Sequence, residues 1–224
     1  MNLAQNLEVS AFLFPNRPAI REGSIEITYA QLNDRANRVT TGLIKLGVKA
    51  GDHIGLCALN SADWISFYFG VLKTGAVAVT LSGVLTGDEL ATLVNHSRPR
   101  MIFSVEAKLK DLEKLKSPGG IEKVICPGGD LDLPHLMEMG SGSFKAIERD
   151  RVDTAAILYT GGTTGIPKGV MLTHEGINFS SHSIAYYERS TENDVALCFL
   201  PFNHVFGQIH IMNATILSAG CLEI

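Results

Sequence analysis

Apolar positions along the chain follow two periods, and each switch between them marks an element boundary. Tyr29, Leu32, Ala36, Val39, Leu43 and Leu46 recur at spacings of three and four, which puts them on one face of a helix. Thr28 with Gln31 makes a capping box at its start, and Gly47 supplies a left-handed stop. Just upstream, residues 25–29 alternate apolar with polar and predict a short strand.

From Gly51 the pattern turns to strand, helix, strand. An apolar run over 53–59 precedes a helix beginning near Ser61, then Gly75, then a strand over 76–81. This spacing predicts a βαβ unit with parallel pairing. Within it Trp64, Phe67, Tyr68 and Val71 fall at helical spacing and read as core. A second cycle follows: a helix over 86–95 with Thr86 and Glu89 as its capping box, an apolar run over 101–105, a charged helix over 107–116, and a strand over 124–126. Residues 127–143, rich in Gly, Pro and Ser, read as a surface loop or linker between two α/β regions. A strand over 155–159 then runs straight into a glycine-rich loop. The fold class expected is α/β, in layered subdomains with largely parallel sheets.

Composition narrows the function. At 46% hydrophobic residues the chain can bury a core, and a formal net charge of −4 argues against a dedicated nucleic-acid binder. Cys57, Cys126, Cys198 and Cys221 are widely spaced, with no Cys-x-x-Cys pair, so neither a disulfide framework nor a cysteine zinc site is expected. A reducing cytoplasm is the expected setting. No stretch has the length of apolar residues that a membrane span needs. The histidines His53, His96, His135, His182 and His210 show no ligand spacing, and no metal-binding residues are proposed.

The chemistry lies in residues 159–169, Tyr-Thr-Gly-Gly-Thr-Thr-Gly-Ile-Pro-Lys-Gly. Glycines let backbone amides approach a ligand, threonine hydroxyls add donors, and Lys168 adds a cation. Many donors, one cation and no bulk are what a polyphosphate requires. A Walker A loop would place its lysine before Ser or Thr, and a dinucleotide fingerprint would open a helix without Pro167; neither fits. A bland Gly/Thr surface turn is the alternative for such a loop, and the length of the combination disfavours it.

This run resembles the phosphate-binding signature of the adenylate-forming (AMP-binding) superfamily, which includes acyl-CoA synthetases. Gly161 stands where the commonest form has Ser, a variant associated with the long-chain fatty acid–CoA ligase branch. The run Leu200-Pro-Phe-Asn-His204-Val-Phe-Gly207 is similar to the family's next landmark. The resemblance implies ATP, Mg2+ and CoA as co-substrates or cofactors, and a carboxylic acid as the second substrate. Thr160, Gly161, Gly162, Thr163, Thr164, Gly165 and Lys168 would bind the ATP phosphates. His204, with Phe206 and Gly207, would bind the acid beside the nascent adenylate, and Lys168 and His204 would be the catalytic pair. Core packing remains the bland reading for His204, and helix-start structure the reading for His174.

The family's adenine, ribose and magnesium motifs, and its mobile C-terminal domain, have no counterpart in the 224 residues. The expectation is an incomplete N-terminal AMP-binding domain over 1–224, inactive alone, with self-association through its truncated end. A non-catalytic nucleotide-binding module, or one subunit of a split adenylating enzyme, are the competing readings.

Overall fold

The computed structural model describes residues 1–160 and 168–224. Helix α1 (Gln5–Leu13) leads into a hairpin of β1 (Pro18–Glu22) and β2 (Ile25–Thr28), and α2 (Tyr29–Lys45) starts at once. The capping box forms as expected: the Gln31 N–H donates to Thr28 Oγ1 (3.3 Å) and the Thr28 N–H to Gln31 Oε1 (2.9 Å). After α2, Gly47 adopts φ of 85°, where a side chain would strain the backbone.

The expected strand–helix cycles follow as β3 (His53–Ala58), α3 (Ala62–Lys73), β4 (Val77–Ser82), α4 (Gly87–Ser97), β5 (Met101–Ser104), α5 (Leu109–Lys114) and β6 (Lys123–Ile125). Ser61 caps α3 by accepting from the Trp64 N–H (3.1 Å), and Thr86 with Glu89 forms the box on α4. The charged helix expected over 107–116 is divided into a 3-10 turn, Glu106–Lys108, and α5.

The chain continues through α6 (Leu133–Met139), β7 (Thr154–Thr160), β8 (Lys168–Thr173), α7 (His174–Glu188) and β9 (Val195–Leu197). A π-helical segment, Phe206–Asn213, then passes into α8 (Ala214–Leu217) and β10 (Cys221–Glu223). Among the described residues six strands form one sheet in the order β6-β5-β3-β4-β7-β8, parallel except for the antiparallel β7–β8 pair. A second sheet runs β2-β1-β10-β9, with β10 parallel to both its neighbours. The architecture is the α/β arrangement with largely parallel sheets that the sequence predicts.

The larger sheet is covered on both faces, which explains why its strands read as continuous apolar runs. Ile54, Leu56, Ala78, Met101, Phe103 and Leu158 pack into the core shared with α2 and α3. Their alternate neighbours Cys57, Val77, Val79, Ile102 and Ile157 pack with Leu90, Leu93 and Val94 of α4 and Leu112 of α5. At the end of α3 the ammonium of Lys73 is wholly buried, held by Glu8 Oε1 (2.7 Å), Asn33 Oδ1 (2.8 Å) and Asn37 Oδ1 (2.6 Å).

One sequence expectation needs correction. The segment 127–143 is not all loop, because α6 lies within it and buries Leu133 and Leu136. Asp132 accepts from the His135 N–H (2.9 Å) as its cap, and Pro134 sits in the first turn. Asp and Pro mark a helix start as readily as a turn, and at seven residues the helix is too short to show a period.

Candidate nucleotide and acid site

The hairpin of β7 and β8 frames the glycine-rich run. Thr160 and Lys168 are antiparallel partners at its loop end, so the backbone holds the two ends of the run opposite one another. Gly161, Gly162, Thr163, Thr164 and Gly165 lie outside the described residues. Behind the hairpin, Tyr159 Oη lies 2.7 Å from His96 Nδ1 and the two rings meet edge-on, which fastens β7 to α4. Lys168 is exposed on the first residue of β8.

His204 reaches the same region from the other sheet. Beyond β9 the Cys198 N–H still donates to Glu223 O (2.7 Å), and then the chain leaves the small sheet. The side chain of Asn60, just past β3, takes over: its Nδ2 donates to Cys198 O (3.2 Å) and Leu200 O (2.8 Å), and its Oδ1 accepts from the Phe202 N–H (2.8 Å). The buried ring of Phe202 packs on Trp64, with centroids 5.2 Å apart. The His204 N–H donates to Pro201 O (3.0 Å), and the Phe206 N–H donates to His204 Nδ1 (3.2 Å). With Nδ1 accepting, the neutral imidazole carries its proton on Nε2, the nitrogen left to meet a ligand.

Leu158, Thr160, Val170, Leu172, Asn203 and His204 line one cavity of about 310 Å³. Two sequence-predicted site residues, Thr160 and His204, are thereby neighbours on a largely apolar wall. Phe206 turns into an adjacent cavity of about 370 Å³, where its ring stacks on His210 at 4.1 Å and His210 Nε2 lies 2.7 Å from Glu188 Oε1. Gly207 is buried against Pro201, whose carbonyl oxygen would stand 2.4 Å from a Cβ. Gln208 is a buried amide that donates to Phe202 O (2.8 Å) and Thr80 Oγ1 (3.2 Å), consistent with core packing.

His174 opens α7, as expected, but with a tertiary role as well. It is fully buried, and its Nδ1 accepts from the Leu3 N–H (3.1 Å), tying the N-terminus to α7. Burial, and secondarily the Arg149 charge, pull its pKa down to about 4. Sequence reasoning missed Asn60 and His96 as supports of the site; neither carries a spacing signal, and only their partners reveal them. Among the described residues no three His, Cys, Asp or Glu side chains gather to hold a metal ion.

The family description "AMP-binding enzyme" matches residues 7–224. The chain belongs to the AMP-binding enzyme family. This AMP-binding chain is 32% identical over 208 residues to 4-coumarate–CoA ligase 4 of Arabidopsis thaliana, covering 86% of itself and 36% of that protein. It is 30% identical over 210 residues to the long-chain-fatty-acid–CoA ligase FadD13 of Mycobacterium tuberculosis, covering 91% of itself and 41% of that protein. The chain thus spans about two-fifths of the length of the curated relatives it matches. Its whole length also superposes on the inhibitor-bound N-terminal domain of FACL13 from Mycobacterium tuberculosis, at 27% identity, a TM-score of 0.91 and 57% of that chain. ATP-bound MatB from Rhodopseudomonas palustris matches with a TM-score of 0.87 at 29% identity, over 100% of this chain and 45% of the other. Among the described residues of this AMP-binding chain, no helix is long and apolar enough to cross a membrane.

Proposed function

We propose that the chain supplies the phosphate-binding hairpin and part of the acid-binding wall of an ATP-dependent carboxylic acid–CoA ligase. The observation that carries this reading is the cavity lined jointly by Thr160, at the end of the glycine–threonine run, and His204. In the proposed reaction a carboxylate oxygen attacks the α-phosphorus of ATP, the bond to the β-phosphate breaks, and pyrophosphate leaves an acyl-adenylate behind. The CoA thiol then attacks the acyl carbonyl and AMP departs. Such chemistry depends on positioning and charge stabilisation more than on a protein nucleophile.

Residues 160–165 and Lys168 hold the β- and γ-phosphates in this reading, and Lys168 offsets charge on the departing pyrophosphate. His204 Nε2 meets the acid or the new adenylate, with Phe206 lining the adjacent cavity and Gly207 letting the loop pack on Pro201. The family resemblance brings Mg2+ with the nucleotide, and the described residues offer it no ligand cluster of their own. Fatty acids come first as substrates, from Gly161 and the apolar run after His204. The names of the relatives include both a 4-coumarate and a long-chain fatty acid ligase, which support the acid–CoA reaction without choosing between these classes. The cytoplasm, where ATP, CoA and reduced thiols coexist, is the compartment proposed for this reaction.

The test is acid-dependent exchange of labelled pyrophosphate into ATP with short, long and aromatic carboxylates. Exchange that depends on one class supports the reading and names the acid. Absence of exchange with every acid, even after the chain is joined to the portion its relatives carry beyond it, overturns it.

A further inference from the structure

Asn60 makes three hydrogen bonds to alternate residues of one run, at Cys198, Leu200 and Phe202. One side chain thus does what a neighbouring strand would do, accepting one N–H and donating to two carbonyls. It does so where the chain crosses between sheets: β9 and the Cys198 N–H belong to the small sheet, whereas Asn60 follows β3 in the large one. The run it holds ends two residues before His204. Downstream the same loop is held by Gln208, which donates to Phe202 O and to Thr80 Oγ1 on β4. Phe202, anchored between these two amides, packs on Trp64. The backbone that carries His204 is therefore registered against the ends of β3 and β4, beside β7 that carries Thr160.

We propose that Asn60 is the positioning residue for His204, setting the distance between the imidazole and the phosphate hairpin through the 198–202 run. The proposal rests on His204 meeting the acid, as read above. Among the described residues the side chain of Asn60 bonds to Cys198, Leu200 and Phe202, all on the His204 side, so its loss is expected to act on the acid side of the reaction and spare ATP. The Asn60→Asp change is close to isosteric: it keeps the acceptor for the Phe202 N–H and turns both donors into an oxygen facing two carbonyl oxygens.

The experiment compares the unaltered chain with N60D and N60A by nitrogen-15 NMR of labelled histidine, with His204→Gln to assign the His204 signals. In the unaltered chain His204 Nδ1 shows the shift of a hydrogen-bonded acceptor and Nε2 that of a protonated nitrogen. In N60D and N60A the expected result is that this single pattern averages toward a mixture of tautomers, while the His174 and His96 signals stay unmoved. Emission from Trp64, the one tryptophan in the sequence, shifts with it because Phe202 moves. ATP affinity stays within twofold, and in the chain joined to its relatives' remaining portion the KM for the acid rises roughly tenfold or more at constant KM for ATP. An unchanged His204 pattern in both variants overturns the proposal, as does an equal loss of every histidine signal, which marks general unfolding. The NMR and emission outcomes are read without turnover, so a failure of the ligase reading, seen as absent exchange in the unaltered protein, is distinguishable from a failure of the Asn60 role.

Discussion

Thr160 and Lys168 stand opposite each other as the end pair of the β7–β8 hairpin, so the glycine–threonine run begins and ends on adjacent strands of one sheet. In the proposed reading that anchoring sets the phosphate run beside His204, whose cavity Thr160 shares. It also gives Lys168 a defined origin on a strand. A charge-assisted bond from Lys168 to a phosphate contributes about 1.5–3 kcal/mol. Replacement by Ala is therefore expected to weaken ATP binding roughly tenfold to a hundredfold, measured by calorimetric titration of the chain. Unchanged affinity would leave Lys168 as a loop anchor alone.

The buried ammonium of Lys73 sets a second prediction. Burial lowers its pKa, and the contact with Glu8 works against that. Glu8→Ala leaves the charge without its counter-ion and also strips the acceptor from the Ala146 N–H, bonded at 2.8 Å. Breaking a buried pair in this way costs about 3 kcal/mol or more. Urea denaturation is expected to record that loss in full for Glu8→Ala and a smaller one for Glu8→Gln, which keeps an acceptor oxygen.

Gly207 is a steric requirement rather than a conformational one. A Cβ there would lie 2.4 Å from Pro201 O and 2.9 Å from Leu200 O, both backbone atoms. Gly207→Ala must displace the loop that carries His204, at a cost of about 1–3 kcal/mol. The expected signature is a lower thermal midpoint together with a shift in Trp64 emission, since Phe202 lies in the displaced loop.

Acid stability should report His174. Its ordinary pKa of 6.5 falls to about 4 in the folded chain, because burial and then Arg149 disfavour the charged ring. Above pH 6.5 the ring is neutral in both states and its contribution is complete. As pH falls from 6.5 toward 4 the unfolded state takes up a proton that the folded state refuses, and stability is lost, on the order of 3 kcal/mol in all. Urea midpoints taken across that window should fall more steeply for the unaltered chain than for His174→Gln. Equal slopes would mean that other groups dominate the acid response.

Local chemistry made much of this fold legible. The boxes at Thr28–Gln31 and Thr86–Glu89, the Ser61 cap and the stop at Gly47 need only neighbours within a turn, so sequence spacing is enough to find them. The short strand β1 carried no such signal: Pro18 opens it and Arg21 and Glu22 close it, with Ala19 and Ile20 alone buried. Its place is decided by β10, which aligns Leu222 with Ile20. Likewise α6 is specified by packing of Leu133 and Leu136, because its Asp132 cap and Pro134 would fit a turn equally well as local pattern.

The site divides in the same way. The sequence by itself determined the phosphate motif, its lysine, the histidine landmark and the alternation of strands and helices, because each is a pattern of residue types at short separation. The tertiary structure alone decided that Thr160 and His204 line one cavity, that His96 braces Tyr159, and that Asn60 stands in for a strand beside Cys198, Leu200 and Phe202. Those relationships join residues on different elements and different sheets. They exist only once burial of both faces of the large sheet has set which strand ends meet, and no local period encodes that choice.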